Sequence, residues 1–282
     1  MFENISRSFT LIKQSWEILK QDKELLLFPI LSGVITLILF ASLILPLVFA
    51  ELYAQANTAL GTPLLYFMLF IFYMASSFIV IYFNVAVIAC AKIRLEGGNP
   101  TIKDGFKASN SHLGKILGWS ILNATVGLII RAIVDSLEDK SPFIASLVSG
   151  VLGAAWAVLT FFVIPKMIFE NKAVFSAIKE SGALIKHTWG EQLGAGFTMG
   201  FGFMLLYIIA AIPLLIGIFL VGGATAILIG VSISILLWIV IATIASALNG
   251  IFTAALYNFI KTGKAQGYNH EELAHAFVPK KQ

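Results

Sequence analysis

The chain has 282 residues, of which 59% are hydrophobic and only 12% charged, with a mean hydropathy of +0.91. An average soluble domain is about 45–50% apolar and about 25% charged, and no soluble core absorbs several uninterrupted apolar runs of about 20 residues, so these runs read as membrane spans. The net charge of +4 and pI near 9.1 then report membrane topology, and nucleic acid is not an expected partner.

Residues 2–24 are predicted to form an amphipathic helix. Phe2, Ile5, Phe9, Ile12, Trp16 and Leu19 fall at spacings of three and four, with Arg7, Lys13, Lys20 and Lys23 on the polar face. Such a helix suits the membrane interface, and a helix packed on the bundle fits the same pattern. This segment lacks the short apolar run and cleavage site of a signal peptide, so the first span is expected to stay in the mature protein. Span one is predicted at Leu25–Ala50 and, after a loop at Glu51–Thr62, span two at Pro63–Ala91. The turn Gly97-Gly98-Asn99-Pro100 precedes a second amphipathic helix at Thr101–Gly114. Span three is predicted at Lys115–Ile133, with Arg131 and Asp135 four apart and able to pair. A short acidic loop, Asp135–Ser141, leads to span four at Pro142–Ile164, where Gly150 and Ala154 form a small-residue face for close helix approach.

Pro165–Leu193 is a polar, helix-forming interruption. Span five follows at Gln192–Val221, with Gly196 and Gly200 at a close-packing spacing and Pro213 expected to kink it. Gly222-Gly223 connects to span six, Ala224–Ile260, which is too long for one simple crossing, so its last third is expected to project beyond the bilayer or bend. A polar tail, Lys261–Gln282, completes the chain.

Phe175-Ser-Ala-Ile-Lys-Glu-Ser181 nearly repeats Phe9-Thr-Leu-Ile-Lys-Gln-Ser15, and Leu184, Ile185 and Lys186 continue in step with Ile18, Leu19 and Lys20. A fainter copy is Gly105-Phe-Lys-Ala-Ser109. The expected fold is therefore an all-α integral membrane protein of six transmembrane helices and three cytoplasmic amphipathic helices. Each amphipathic helix plus two spans makes a unit, at about residues 2–100, 101–172 and 173–260, followed by a cytoplasmic tail at 261–282. With the N-terminus cytoplasmic, every Lys and Arg except Arg131 and Lys140 falls on the cytoplasmic side, the bias of a correctly assigned topology. Units that all enter from one side are parallel repeats, unlike the inverted repeats of many alternating-access transporters.

Several pieces carry a family resemblance. They are Ser15-Trp16 with Leu25-Leu26-Leu27-Phe28-Pro29, the run from Val163 through Pro165 to Glu170, the stretch from Lys186 through Trp189 to Glu191, and the ending from Ala254 through Tyr257, Thr262 and Gly263 to Ala276, Phe277, Pro279 and Lys280. Together they resemble a family of multi-spanning bacterial and archaeal membrane proteins classed only as a domain of unknown function. The resemblance covers nearly the whole chain. It implies a prokaryotic cytoplasmic (inner) membrane, with no known catalytic activity and no residue roles to carry over.

The residues themselves present no hydrolase, nucleotide-binding or zinc-protease motif, and no catalytic residue, cofactor or metal is expected. The single cysteine, Cys90, lies in an apolar run and has no cysteine partner. His270 and His275 in the tail are five apart with acidic residues between them, and His270 reads as a helix start rather than a metal ligand. Intramembrane polar groups, the usual pointer to a transport path, are few: Asn84, Asn123 and Asn249 in spans, Arg131 with Asp135 at an interface, and Glu191 at a helix start. A lone Asn more often joins helices than binds substrate. The reading is a non-enzymatic membrane protein, self-assembling into a homo-oligomer or recruiting a partner through its helices, with membrane lipids around it. A passive channel or lipid-handling protein is the alternative.

Overall fold

A computed structural model describes residues 2–49, 61–189 and 198–274, and among these no strand occurs. Helix α1 is Phe2–Gln21, followed by a 3-10 turn at Lys23–Leu26 and by α2, Leu27–Phe49. Then come α3 (Gly61–Leu95), α4 (Ile102–Ser111), α5 (Leu113–Glu138), α6 (Pro142–Thr160), α7 (Val163–Phe169) and α8 (Val174–Trp189). The last are α9 (Thr198–Ala210), α10 (Ile212–Ile216), a π-helical turn at Gly217–Val221, α11 (Ala224–Thr262) and α12 (His270–Ala274).

Among the described residues, six helical stretches are long and apolar enough to cross a membrane: Lys23–Ser42, Phe67–Leu95, Leu113–Glu138, Pro142–Phe169, Gly202–Phe219 and Ala224–Thr262. Their surfaces match that reading, because Leu37, Ile38, Phe143, Phe219, Leu228 and Leu236 stand exposed, as suits a chain whose outer solvent is hydrocarbon.

Boundaries depart from the sequence reading where side chains cap or break a helix. Span three runs a turn further than expected, to Glu138, so the acidic loop shrinks. Ser141 then caps α6, its hydroxyl accepting from the Ile144 N–H at 3.4 Å, with Pro142 in the first turn where its missing N–H costs nothing. Span four breaks at Phe161-Phe162, four residues before Pro165, whose ring excludes the carbonyl one turn back. Span five is interrupted just before Pro213, as expected. Span six does not break: α11 is unbroken for 39 residues. At 1.5 Å per residue it is about 58 Å long, against a hydrocarbon core of about 30 Å. Its last third, from Ala245 to Tyr257, is largely buried in protein.

The chain forms two compact units. One comprises Met1–Pro29, Val87–Ile102 and Thr188–Gln282, and the other Ile30–Ala86 and Lys103–His187. In the first, α1 packs against α9 and α11. The buried stripe of α1 is Ser8, Leu11, Ser15, Ile18 and Leu19, whereas Phe9 and Trp16, read from sequence as part of the apolar face, are exposed. The stripe is rotated because close approach selects small residues: a Cβ placed on Gly202 would lie 3.3 Å from the Ser8 Cβ and 2.7 Å from the Ile12 Cδ1. Asp22, after α1, forms a two-pronged ion pair with Arg94 near the end of α3, and Arg94 also donates to Asn99 at 2.6 Å. Helix α3 ends there because Gly97 takes φ +87°, which lets the Gly97 and Gly98 N–H groups return to the Arg94 and Ile93 carbonyls.

Spans five and six form a hairpin through Gly222 and Gly223, both at positive φ. Below the turn the backbones nearly touch. A Cβ on Gly230 would sit 2.5 Å from the Pro213 carbonyl oxygen, and one on Gly217 2.7 Å from that of Ala226. In the second unit α5 packs on α6, with Trp119 stacked on Trp156 at 5.8 Å.

Gly230→Ala should therefore lower the unfolding temperature of the detergent-solubilised protein by an amount corresponding to about 1–3 kcal/mol of overpacking. Gly127→Ala, where a Cβ meets nothing within 4 Å, should leave it unchanged or raise it slightly.

Candidate functional site

The repeated sequence motif places a serine at the same point of three helices, and all three serines are fully buried: Ser15, Ser109 and Ser181. The burial order along Leu11–Ser15, Gly105–Ser109 and Ala177–Ser181 is the same, with the first and last residues buried and the lysine midway between them exposed. Each hydroxyl makes one distant bond. Ser15 Oγ lies 2.6 Å from the Tyr268 hydroxyl, which follows α11. Ser109 Oγ donates to the Tyr82 carbonyl of α3 at 2.7 Å. Ser181 Oγ accepts from the Phe162 N–H, at the break between α6 and α7, at 3.0 Å. Burial pushes the Tyr268 hydroxyl far above the usual phenol range, and the Ser15 bond partly offsets it.

Around Ser181 the polar side chains form an ion network. Lys166 of α7 is only 5% exposed, and a buried ammonium is tolerated only when paired. Its Nζ lies 3.0 Å from Glu170 and 3.1 Å from Glu180, and Lys172 reaches Glu180 at 2.7 Å. Lys115 of α5 donates to the Met167 carbonyl at 3.3 Å and to the Asn171 side chain. Lys172 and then Lys166 hold the Glu180 carboxyl below the ordinary carboxylate range, and Glu180 in turn raises Lys172.

The intramembrane polar candidates separate clearly. Asn123 joins three helices: its Oδ1 accepts from Trp156 Nε1 of α6 at 2.9 Å, and its Nδ2 donates to Ser77 Oγ of α3 at 3.3 Å. Arg131 and Asp135 pair at 2.8 Å on the exposed face of α5. Asn84 is half-buried on α3, and Asn249 is exposed on α11. Gly150 and Ala154 are exposed on α6, and Gly200 is exposed on α9. Glu191 and Gly196 lie outside the described residues, as does His275. No cluster of three or more His, Cys, Asp or Glu able to hold a metal occurs among the described residues.

An apolar groove of about 1010 Å³ runs between α9 and α11. Phe203, Tyr207 and Ile208 form one wall and Ile235, Trp238 and Ala242 the other, with Gly200 and Asn249 at the end away from Pro213. Trp238 Nε1 donates to the Tyr207 carbonyl at 3.0 Å across its floor. Sequence reading passed over several residues that position these features. Ser234 is one: its hydroxyl accepts from the Leu214 N–H at 3.1 Å, beside Pro213. Gly230 and Asp22 are others, each defined by a partner that no local pattern announces.

Ser181→Ala removes the acceptor of a buried N–H at a helix break and should cost about 1–3 kcal/mol. Ser109→Ala removes only an extra donor from a carbonyl inside α3 and should cost about 0.5–1.5 kcal/mol, so chemical denaturation should rank the two in that order. Because the folded Glu180 carboxyl sits below its unfolded value of about 4.3, its contribution is complete above that pH and is lost as pH falls through the lower, folded value. Wild-type stability should drop in that acidic window, and the drop should be smaller in Glu180→Gln.

No curated protein matches the chain. The family of unknown function DUF6159 matches it over residues 63–267, well over half its length. With six membrane-length helices and that match, this chain belongs to the DUF6159 family.

Proposed function

We propose that the chain is a non-enzymatic, multi-pass protein of the bacterial cytoplasmic (inner) membrane, with both termini cytoplasmic, that works by assembling with itself or by recruiting a partner through its helices. Three parallel repeats build it, each an amphipathic cytoplasmic helix followed by two spans. The common burial order of the three motif copies supports the repeat. So does their seating: the second copy bonds to α3 at the end of the first repeat, the third to the α6–α7 break ending the second repeat, and the first to Tyr268 beyond the third.

The observation that carries self-assembly is the open face of α6. A Cβ on Gly150 or Gly153 would meet nothing within 4 Å, and Ala154 beside them is exposed, so this small-residue face is not consumed by the chain's described residues. In lipid, helices associate mainly through close packing at such faces, since hydrocarbon offers no hydrophobic drive between them. Native mass spectrometry from nanodiscs should give one defined multiple of the chain mass, and the double variant Gly150→Leu/Ala154→Leu should reduce it to the monomer. Gly200→Leu, which lines the groove, should leave the mass unchanged. A wild-type monomer with no partner would overturn the assembly reading.

The groove between α9 and α11 favours lipid handling as a second reading. From Ile235 to Asn249 it follows α11 for about 21 Å at 1.5 Å per residue, comparable to an extended acyl chain. Ala242→Trp should then lower the amount of phospholipid that co-purifies with the protein, and equal retention would remove this alternative.

A further inference from the structure

The seating of α1 and α8 leaves each with an outward stripe of the same chemistry. Counted from the motif serine, positions −6, −2 and +5 fall within about 40° of one another on a helix and lie across from the buried positions −4, 0 and +4. In α1 the outward positions are Phe9, Lys13 and Lys20, and in α8 they are Phe175, Lys179 and Lys186. All six are exposed, with Phe175 at 77% and Phe9 at 42%. Trp16, 37% exposed, widens the stripe of α1. Lys20 lies 2.8 Å from Glu17, whereas Lys13, Lys179 and Lys186 have no ion pair among the described residues.

Both helices are also held where spans emerge. Helix α1 ends at Gln21, immediately before the first membrane-length stretch begins at Lys23, and α8 begins at Val174, shortly after the fourth ends at Phe169. Helix α4 supplies the contrast. Its outward −6 position is Lys103, and its phenylalanine, Phe106, is turned inward with its ring 6.4 Å from Tyr82 and 6.2 Å from Phe83. The same motif therefore occurs with and without an exposed aromatic.

We infer that the outward stripes of α1 and α8 each bind anionic phospholipid headgroups at the surface of the membrane that the spans cross. The phenyl ring enters the headgroup–acyl boundary, and the lysine stems lie along apolar surface while their ammonium groups reach lipid phosphate. A soluble acidic protein would match the lysines but would leave a ring as exposed as Phe175 in water, and a neutral bilayer would take the ring and leave the lysines without partners. An anionic bilayer satisfies both, and the membrane-length stretches adjoin α1 and α8 directly in the chain.

The test uses the full-length protein with Cys90→Ser and a nitroxide attached at Phe175→Cys, reconstituted in nanodiscs of either phosphatidylglycerol or phosphatidylcholine. In phosphatidylglycerol the label should be more accessible to oxygen than to a neutral nickel chelate. Lys179→Gln/Lys186→Gln should reduce the ratio of surface-bound to released helix by about fivefold per lysine, and Lys179→Arg/Lys186→Arg should retain it. Phosphatidylcholine should resemble the glutamine variant. A label at Phe9→Cys with Lys13→Gln reads α1 independently, and a label at Lys103→Cys on α4 should favour the nickel chelate in both lipids. Equal nickel access at position 175 in both lipids would place the stripe in water and overturn the proposal. Oxygen preference that ignores both lipid charge and the lysines would overturn headgroup recognition, leaving simple apolar insertion.

Discussion

Within hydrocarbon a backbone N–H that loses its helical acceptor has no water to turn to, and this constraint decides where the chain can break its spans. Two of the six membrane-length stretches are interrupted, each near a proline: Pro165 in the fourth and Pro213 in the fifth. Beside each break a fully buried serine accepts a backbone N–H, Ser181 for Phe162 and Ser234 for Leu214. The serine comes from a different helix in both cases, so the bond that satisfies the break also fixes a neighbour against it. At Pro213 the neighbour is brought close enough that only glycine fits at position 230.

Seen this way, the recurring serine is a seating device whose partner varies with what the receiving helix has to offer. At the α6–α7 break it accepts an N–H, on the intact α3 it donates to a carbonyl, and beyond α11 it meets a phenol. A hydroxyl is the one small group that can do all three, since it donates and accepts and leaves room for close approach. Alanine would allow the approach without the bond, and asparagine would make the bond at too great a distance. That is a physical reason for the same residue type to stand at all three places.

The spans were legible in the sequence because hydropathy over about 20 residues is a local property, and the motif was legible because its residues are contiguous. The break at Phe161-Phe162 was not. Pro165 stood at the edge of a polar stretch, where a proline reads as a helix start, and its effect falls one turn upstream. Nor does sequence spacing tell which glycines are in contact: Gly200, chosen for its spacing, is exposed on a groove, while Gly202, two residues on, meets α1 closely. Which small residue is used depends on the rotation of the partner helix. The same applies to Phe9 and Trp16, which share the apolar periodicity of α1 but lie outside its buried stripe. Arg94 and Asp22 are 72 positions apart, and no pattern within either segment joins them.

What the membrane-crossing helices do with their polar groups bears on what the chain can do. Asn123 gives its oxygen to Trp156 and its nitrogen to Ser77, and Arg131 is matched by Asp135 four residues on. A coupled transporter needs ionisable groups that change partners inside the membrane, and these two residues already have fixed ones. Asn249 stands at the end of a groove whose walls are aromatic and aliphatic. One amide beside so much apolar surface suits an amphiphile with a single polar end, and it cannot replace the hydration shell of an ion. Among the described residues, three outward surfaces stand open to other molecules: the glycine face of α6, the groove between α9 and α11, and the lysine-flanked rings of α1 and α8. Each of these meets lipid or another helix before it meets a solute, as suits the proposed role in membrane organisation.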